Sequence, residues 1–245
     1  ASLFVNLFQN GNFRKPNWTA LESQWPVLGK LRSQMMKVSN KAGESYSDYC
    51  AVQGTSPWVP VYNTDRVSPA EIADFNEWAD LADPRWQGRL TLDSQALGLY
   101  LFPLAPGWNE DRLRQFAGHL HDLKPTFVSG GGAAVVQSLL QGSGDIGIAS
   151  AAEASQAKVK GAPIDYIIPK DFVPASQRGS CVVTPEPNDP AMAELFFGWY
   201  TAEGLLVTAD RGGFPRLDDP EHYEIAARVA QAGLRACLRS VGVSA

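Results

Sequence analysis

The chain has 245 residues, of which 44% are hydrophobic and 19% are charged, and its formal net charge is −5 at pH 7. This length can bury a substantial core in one large domain or two smaller ones. The acidic balance and the lack of any Lys/Arg cluster argue against a nucleic-acid-binding surface. No apolar run is long enough for a membrane span, so we expect no direct membrane insertion.

The predicted elements begin with a strand over residues 3–7 and a polar helical stretch over residues 21–38. From Val59 onward, short apolar runs alternate with helical segments, which is typical of a largely parallel α/β sheet. The further predicted strands are 59–62, 89–92, 125–128, 145–149, 164–168 and 181–183. The further predicted helices are 71–81, 96–104, 109–122, 132–141, 150–160, 190–200 and the amphipathic 221–239.

The cysteines and the first residues indicate whether the protein is exported from the cytoplasm. Cys50, Cys181 and Cys237 lack metal-site spacing, and an odd number cannot pair fully within the chain. Unpaired Cys is among the most buried residue types, so we expect buried free thiols. The alternative is a single disulfide bond, if the protein is exported. The first residues carry neither a basic leader nor a cleavage site, and a chain starting with Ala is expected to have been processed or trimmed.

The most informative segment is DFNEWADLADPRWQGRLTL at residues 74–92. Its acidic helical turn ends at Asp83, because the residue before proline is disfavoured in the α conformation. Gly88 then precedes an alternating strand. Further segments of the same kind are VPVYNT at 59–64, LLQGSGDIGI at 139–148, PEPNDPAMAELF at 185–196 with YTAEG at 200–204, and GGFPR at 212–216. Together they resemble the motifs of extracellular solute-binding proteins of ABC importers, in the group that takes up ferric iron, thiamine, polyamines and phosphonates.

The resemblance implies an α/β periplasmic-binding-protein fold of the second type, with mainly parallel sheets in two lobes. Lobe I would comprise residues 1–59 and 179–221, and lobe II residues 60–178 and 222–245. Lobe I would lack N-terminal strands amounting to about 50 residues. The implied function is a periplasmic, non-enzymatic receptor that needs no cofactor and delivers a small solute to the membrane permease of an ABC importer.

Two other classes remain open at this stage. A ligand-sensing domain of a regulator or chemoreceptor reuses the same fold. A small-molecule enzyme would need a positioned acid or base, and the sequence shows no nucleophile elbow, P-loop or zinc spacing. No metal site is predicted, since His119 and His121 are spaced i, i+2 on a helix and do not face one another.

Three predicted strand-to-helix junctions carry the main candidate ligand-binding residues: Ser94 and Gln95; Ser129, Gly130 and Gly131; and Ser150. In open α/β sheets, ligands bind beyond the carboxyl ends of the strands, so these junctions are expected to converge. Unpaired N–H groups at helix starts favour an anionic solute. The alternative is that the serines merely cap their helices.

The resemblance adds Asn6 and Gln9 after the first strand, Tyr62 and Arg178 at the crossings between lobes, and Glu153. The Arg178 guanidinium suits a carboxylate or phosphonate. In a polyamine-binding alternative, Asp93, Glu153, Trp58 and Tyr62 would supply part of a carboxylate and aromatic box. Ferric-binding members of the family carry an adjacent tyrosine pair where this chain has Ala151-Ala152, so tyrosine-based iron binding is not expected.

Overall fold

The fold is described from a computed structural model, which covers residues 2–35, 39–184, 189–207, 221 and 223–231. The helices are α1 Ser2–Gln9, α2 Trp18–Gln24, α3 Val27–Ser33, α4 Pro69–Ile72, α5 Glu110–Asp122, α6 Gly131–Gln141, α7 Ala151–Val159, α8 Pro190–Trp199 and α9 Glu224–Gln231. The strands are β1 Phe13–Arg14, β2 Cys50–Asn63, β3 Leu90–Asp93, β4 Thr126–Val128, β5 Ile146–Ser150, β6 Ile164–Tyr166 and β7 Ala175–Val183. Short 3₁₀ helices occupy Tyr46–Asp48, Trp78–Ala82, Pro84–Trp86 and Leu99–Leu104, and a π-helical turn at Tyr200–Gly204 continues α8.

The strands form one mixed sheet in the order β1-β7-β2-β5-β3-β4, with β6 also paired to β2. The expectation of parallel strands holds for β3, which is parallel to both β4 and β5. Strand β2 runs antiparallel to β5, β6 and β7, and β1 runs antiparallel to β7. The architecture is therefore a mixed α/β fold with helices flanking a continuous sheet.

Strand β2 connects the two ends of this sheet because its two halves have different partners. Cys50 to Pro57 pair with β7, with a register irregularity between Val52 and Gly54. From Trp58 onward the strand pairs with β5, and from Val61 it also pairs with β6. The backbone N–H of Trp58 donates to the carbonyl of Pro174 at 2.8 Å, which ties the change of partner to the start of β7.

Three hydrophobic cores pack against this sheet. The first lies at the β1 and β7 end and is built from such residues as Phe8, Leu28, Tyr46 and Phe197. The other two lie on opposite faces of the β2–β5–β3 part, because side chains alternate between the faces of a strand. Trp58 and Tyr62 belong to one face, with Trp78, Trp86 and Phe102, whereas Val59 and Val61 belong to the other, with Tyr223 and Val229.

Several predicted elements differ from the observed ones. Residues 3–7, predicted as a strand, lie in helix α1, whose Phe8 is 1% exposed. The reason is visible in the sequence, since apolar residues at 3, 4, 7 and 8 recur with helical spacing. The predicted helices 71–81 and 96–104 are reduced to α4 and short 3₁₀ helices. Helix α9 covers part of the predicted 221–239, and residues 185–188, 212–216 and 232–239 lie outside the described part of the chain.

The expectation of free thiols is wrong for two of the three cysteines. Cys50 and Cys181 form a disulfide between β2 and β7. The two residues are direct register partners, with Cα atoms 4.4 Å apart, within the range that a disulfide spans. Because the two cysteines are 131 residues apart in the sequence, no local pattern indicated that they lie close together. The expected burial of Cys50 is confirmed, since this residue is 0% exposed.

Candidate ligand-binding site

The carboxyl ends of β3, β4 and β5 lie at one edge of the sheet because these strands are parallel. We use the term carboxyl edge for the three junctions that follow them: Asp93–Gln95, Ser129–Gly132 and Ser150–Glu153. The backbone N–H of Ser94 donates to the carbonyl of Val128 at 2.8 Å, and the Ser94 and Ser129 hydroxyls are 3.1 Å apart. The first two junctions are thus in direct contact.

The start of α6 already has an internal anionic partner. The Asp93 side chain is 5% exposed and accepts hydrogen bonds from the backbone N–H groups of Gln95 at 2.9 Å and Gly131 at 2.8 Å. A carboxylate at a helix start is stabilised by the exposed N–H groups and by the helix dipole. The expectation that the Gly131 N–H stays unpaired is therefore wrong. Asp93, rather than a ligand, accepts the hydrogen bond from this N–H.

The start of α7 is closed by a capping box, in agreement with the capping alternative for Ser150. Ser150 Oγ accepts from the Glu153 N–H at 3.4 Å, and Glu153 Oε2 accepts from the Ser150 N–H at 3.0 Å. Gly132 allows Glu153 to reach this position, since a Cβ there would collide with Glu153 Oε2 and lie 3.1 Å from the Ser150 nitrogen. This contact joins the α6 and α7 junctions.

Arg178 lies near the third junction. Its Nε donates to the buried Ser56 Oγ at 2.6 Å, so the side chain is partly buried although the residue as a whole is exposed. Partial burial lowers the pKa of the Arg178 guanidinium, while the nearby Glu153 carboxylate and Tyr100 phenol act in the opposite direction. Arginine stays protonated under all ordinary conditions, so Arg178 places a permanent positive charge beside the carboxyl edge.

The remaining candidates lie elsewhere or have other roles. Tyr62 is 9% exposed in a core and pairs with Ile146 at the opposite end of β5, whereas Trp58 pairs with Ser150. Asn6 and Gln9 lie on α1, where Gln9 Nε2 donates to the carbonyl of Ser39 at 3.0 Å. No hydrogen bond among the described residues joins Asn6 or Gln9 to the carboxyl edge.

Gln95 and Gly130 lie at the carboxyl edge as predicted, both exposed. The sequence analysis missed three other residues at or beside the carboxyl edge. Ser56 accepts a hydrogen bond from Arg178, Tyr100 is 52% exposed, and Gly132 leaves room for the Glu153 side chain. The glycine run at 130–132 was the one available signal, because consecutive glycines suggest close approach of the backbone to another group. Ser56 and Tyr100 carry no comparable sequence signal.

No metal-binding group of three His, Cys, Asp or Glu side chains occurs in the residues that the structure describes. Ala151 and Ala152, which the family resemblance aligns with the tyrosine pair of ferric-binding members, are 0% and 3% exposed in the first turn of α7. Within the described ranges, no helix combines the length and the apolar composition needed to cross a bilayer.

A family model described as bacterial extracellular solute-binding protein matches residues 13–191. The chain belongs to this family. The family binds small solutes and works with ABC transporters; it consists of binding proteins rather than enzymes, and its extracellular character implies a periplasmic location. A search of curated proteins gives no match.

The fold is also that of solved periplasmic binding proteins of the second type. The binding protein P5PA is 18% identical, with a TM-score of 0.60, and the match covers 96% of this chain and 69% of that one. The spermidine/putrescine-binding protein PotD of Streptococcus pneumoniae is 16% identical, with a TM-score of 0.58 and coverages of 89% and 62%. AfuA of Actinobacillus pleuropneumoniae, with fructose-6-phosphate bound, is 19% identical, with a TM-score of 0.54 and coverages of 74% and 58%. The chain thus spans 58 to 69% of the lengths of these proteins.

Proposed function

We propose that this solute-binding protein captures a small anionic solute at the carboxyl edge and delivers it to the membrane permease of an ABC importer. The observation that carries the proposal is the set of groups exposed there. The Ser94 and Ser129 hydroxyls form an exposed pair, and Arg178, an exposed residue whose Nε donates to Ser56, lies near Glu153. These groups donate hydrogen bonds, and a guanidinium pairs well with a carboxylate or phosphate.

The two carboxylates at the edge do not contradict an anionic solute, because each is already bonded within the protein. Asp93 is engaged by Gln95 and Gly131, and Glu153 by the backbone of Ser150. Their negative charges are partly balanced by the starts of α6 and α7. The neighbour AfuA, which binds a sugar phosphate, supports the same class of ligand.

Closure of the two lobes would accompany binding. We assign the lobe boundary to the point where β2 changes partners and β7 begins, at Pro57 and Ala175, which are register partners. This position lies close to the sequence-based boundaries at 59/60 and 178/179, which stay predictions. Hinge motion about two such crossing strands traps solutes between lobes, and a ligand-dependent decrease in the radius of gyration in small-angle scattering would test it.

A polyamine is the second candidate, and it is favoured by Asp93 and Glu153 themselves. If the solute is a polycation, Glu153 would have to leave its capping box and face the ligand. The neighbour PotD, a spermidine/putrescine-binding protein, belongs to this class. The two candidates therefore predict opposite roles for Glu153 and Arg178.

The test is calorimetric titration with inorganic phosphate, methylphosphonate, putrescine and spermidine. For an anion, Arg178→Ala should abolish a charged contact and weaken binding by at least tenfold, and Ser129→Ala should weaken it about five- to thirtyfold. Glu153→Gln should leave anion binding unchanged or stronger. Arg114→Ala is the matched control, because this arginine is exposed on α5 and pairs only locally with Asp111. Polyamine binding that is lost in Glu153→Gln and kept in Arg178→Ala would refute the anion proposal.

A further inference from the structure

A cavity adjoins the carboxyl edge on the face of the sheet that carries Trp58 and Tyr62. It has a volume of about 220 Å³ and lies between the sheet and helix α5. Its floor consists of the buried side chains Leu92, Leu99, Leu120 and Ile148, none more than 7% exposed. We call this cavity the side pocket.

The rim of the side pocket is exposed, so the cavity is reachable from solvent. Phe127 on β4 is 56% exposed, and Ser94, Ala117 and His121 are also exposed. The opening follows from the local sequence, because β4 is a three-residue edge strand and Ala117 is too short to cover the space under α5. An exposed phenylalanine beside an apolar floor leaves apolar surface in water that a ligand can remove.

The size of the side pocket indicates what can enter it. A cavity of about 150 Å³ lined by Leu, Ile and Phe accepts a benzene molecule. The side pocket is larger and has a similar lining, so it accommodates a phenyl ring or an aliphatic group of comparable size. Asp93 also borders the cavity, but both of its oxygens accept hydrogen bonds from backbone N–H groups.

The side pocket is continuous with the proposed anion site through two residues. Ser94 borders the pocket, and its hydroxyl is 3.1 Å from that of Ser129. Leu97 also borders the pocket, and its Cδ1 lies 3.5 Å from where a Cβ on Gly131 would stand. An anionic group at the Ser94 and Ser129 hydroxyls thus lies beside the entrance of an apolar cavity.

We infer that the side pocket receives the apolar part of the solute, so the ligand is a small carboxylate or phosphonate that carries a group of about phenyl size. This inference rests on the proposed function and narrows it. It also makes Ala117 and Phe127 specificity-determining residues. Inorganic anions and short, fully hydrophilic anions would leave the pocket unfilled and bind more weakly.

The experiment compares phenylphosphonate with methylphosphonate by calorimetry, and adds neutral toluene, whose binding is followed by saturation-transfer NMR. The wild-type protein should bind phenylphosphonate at least about tenfold more tightly than methylphosphonate, because the ring leaves water. Ala117→Leu places a larger side chain at the rim and should remove both this preference and toluene binding while methylphosphonate affinity stays the same. Ala191→Leu, at an exposed helical alanine on α8, is the matched control and should change nothing. Circular dichroism confirms that both variants fold.

The outcomes separate the inference from the function on which it rests. Equal affinities for the two phosphonates would overturn the inference and leave the anion receptor standing. If neither phosphonate binds, the anion proposal fails, and toluene binding then tests whether the side pocket is a ligand site. Toluene binding that Ala117→Leu abolishes would keep the side pocket as an apolar ligand site, and no toluene binding would overturn it.

Discussion

The Cys50–Cys181 disulfide should contribute several kcal/mol to stability, and the amount reports how the two lobes unfold. The perturbation is the double substitution Cys50→Ala/Cys181→Ala, made in a Cys237→Ala background so that no third thiol can exchange. The parent for comparison carries Cys237→Ala alone. Because Cys50 is fully buried and Cys181 partly so, alanine removes little volume and leaves the β2 and β7 pairing intact.

The magnitude follows from the length of chain that the disulfide closes in the unfolded state. The two cysteines are 131 residues apart, and a loop of this length corresponds to about 5 kcal/mol in the chain-entropy treatment. If lobe II stays folded while lobe I opens, Pro57 and Ala175 remain paired and already hold the ends together. The disulfide then closes only about 15 residues, which corresponds to about 3 kcal/mol.

Urea unfolding followed by circular dichroism and tryptophan fluorescence distinguishes these cases. A single transition with a loss of about 5 kcal/mol would indicate that the lobes unfold together, and the melting temperature should then fall by about 10–20 °C. Two transitions with a loss of about 3 kcal/mol confined to the first would indicate independent lobes. A loss below about 1 kcal/mol, or titration of three free thiols in the unreduced, denatured wild-type protein, would show that the disulfide does not stabilise the fold in this way.

Three further predictions concern packing, pH and iron. Gly132→Ala should displace the Glu153 carboxylate from its hydrogen bond with the Ser150 N–H and destabilise the fold by about 0.5–2 kcal/mol. Gly118→Ala, with open space around it, should stabilise α5 by about 0.5–1 kcal/mol in the same urea assay. Hydrogen bonds from Ser68 and Arg89 lower the pKa of Glu71 to about 2. A depressed pKa means that this contribution to stability is present above about pH 4.3 and is lost as the pH falls towards 2, so Glu71→Gln should flatten the melting temperature across that window; an unchanged profile would contradict it. Ferric citrate should produce no phenolate absorption band, because Ala151-Ala152 stand where the resemblance expects the tyrosine pair, and a band that survives chelator washing would contradict this.

The sequence predicted the elements whose signals are local. Helix α5 follows Asn109, whose side chain accepts from the Arg112 N–H as an N-cap, and α6 ends at Gln141, just before Gly142, which adopts a positive φ of 77°. The strands at 90–93, 126–128 and 146–150 lie within one residue of their predicted bounds. These segments carry caps, glycine stops or alternation that act over a few residues.

The features that sequence reasoning missed depend on distant parts of the chain. The length of β2 is set by its partners β5 and β7, and the cysteine pair meets only through that register. At the candidate site, convergence of the junctions was predictable from parallel strands, but the use of the Gly131 N–H by Asp93 was not. Asp93 lies 38 residues from Gly131, and no local pattern shows that its carboxylate points there.

Native mass spectrometry of the protein as purified would detect a bound anionic solute directly. We expect a complex whose excess mass is released on denaturation as a small organic anion carrying an apolar group. Arg178→Ala should lose that mass, and Arg114→Ala should keep it. A released polyamine, or a complex that persists unchanged in Arg178→Ala, would contradict the account.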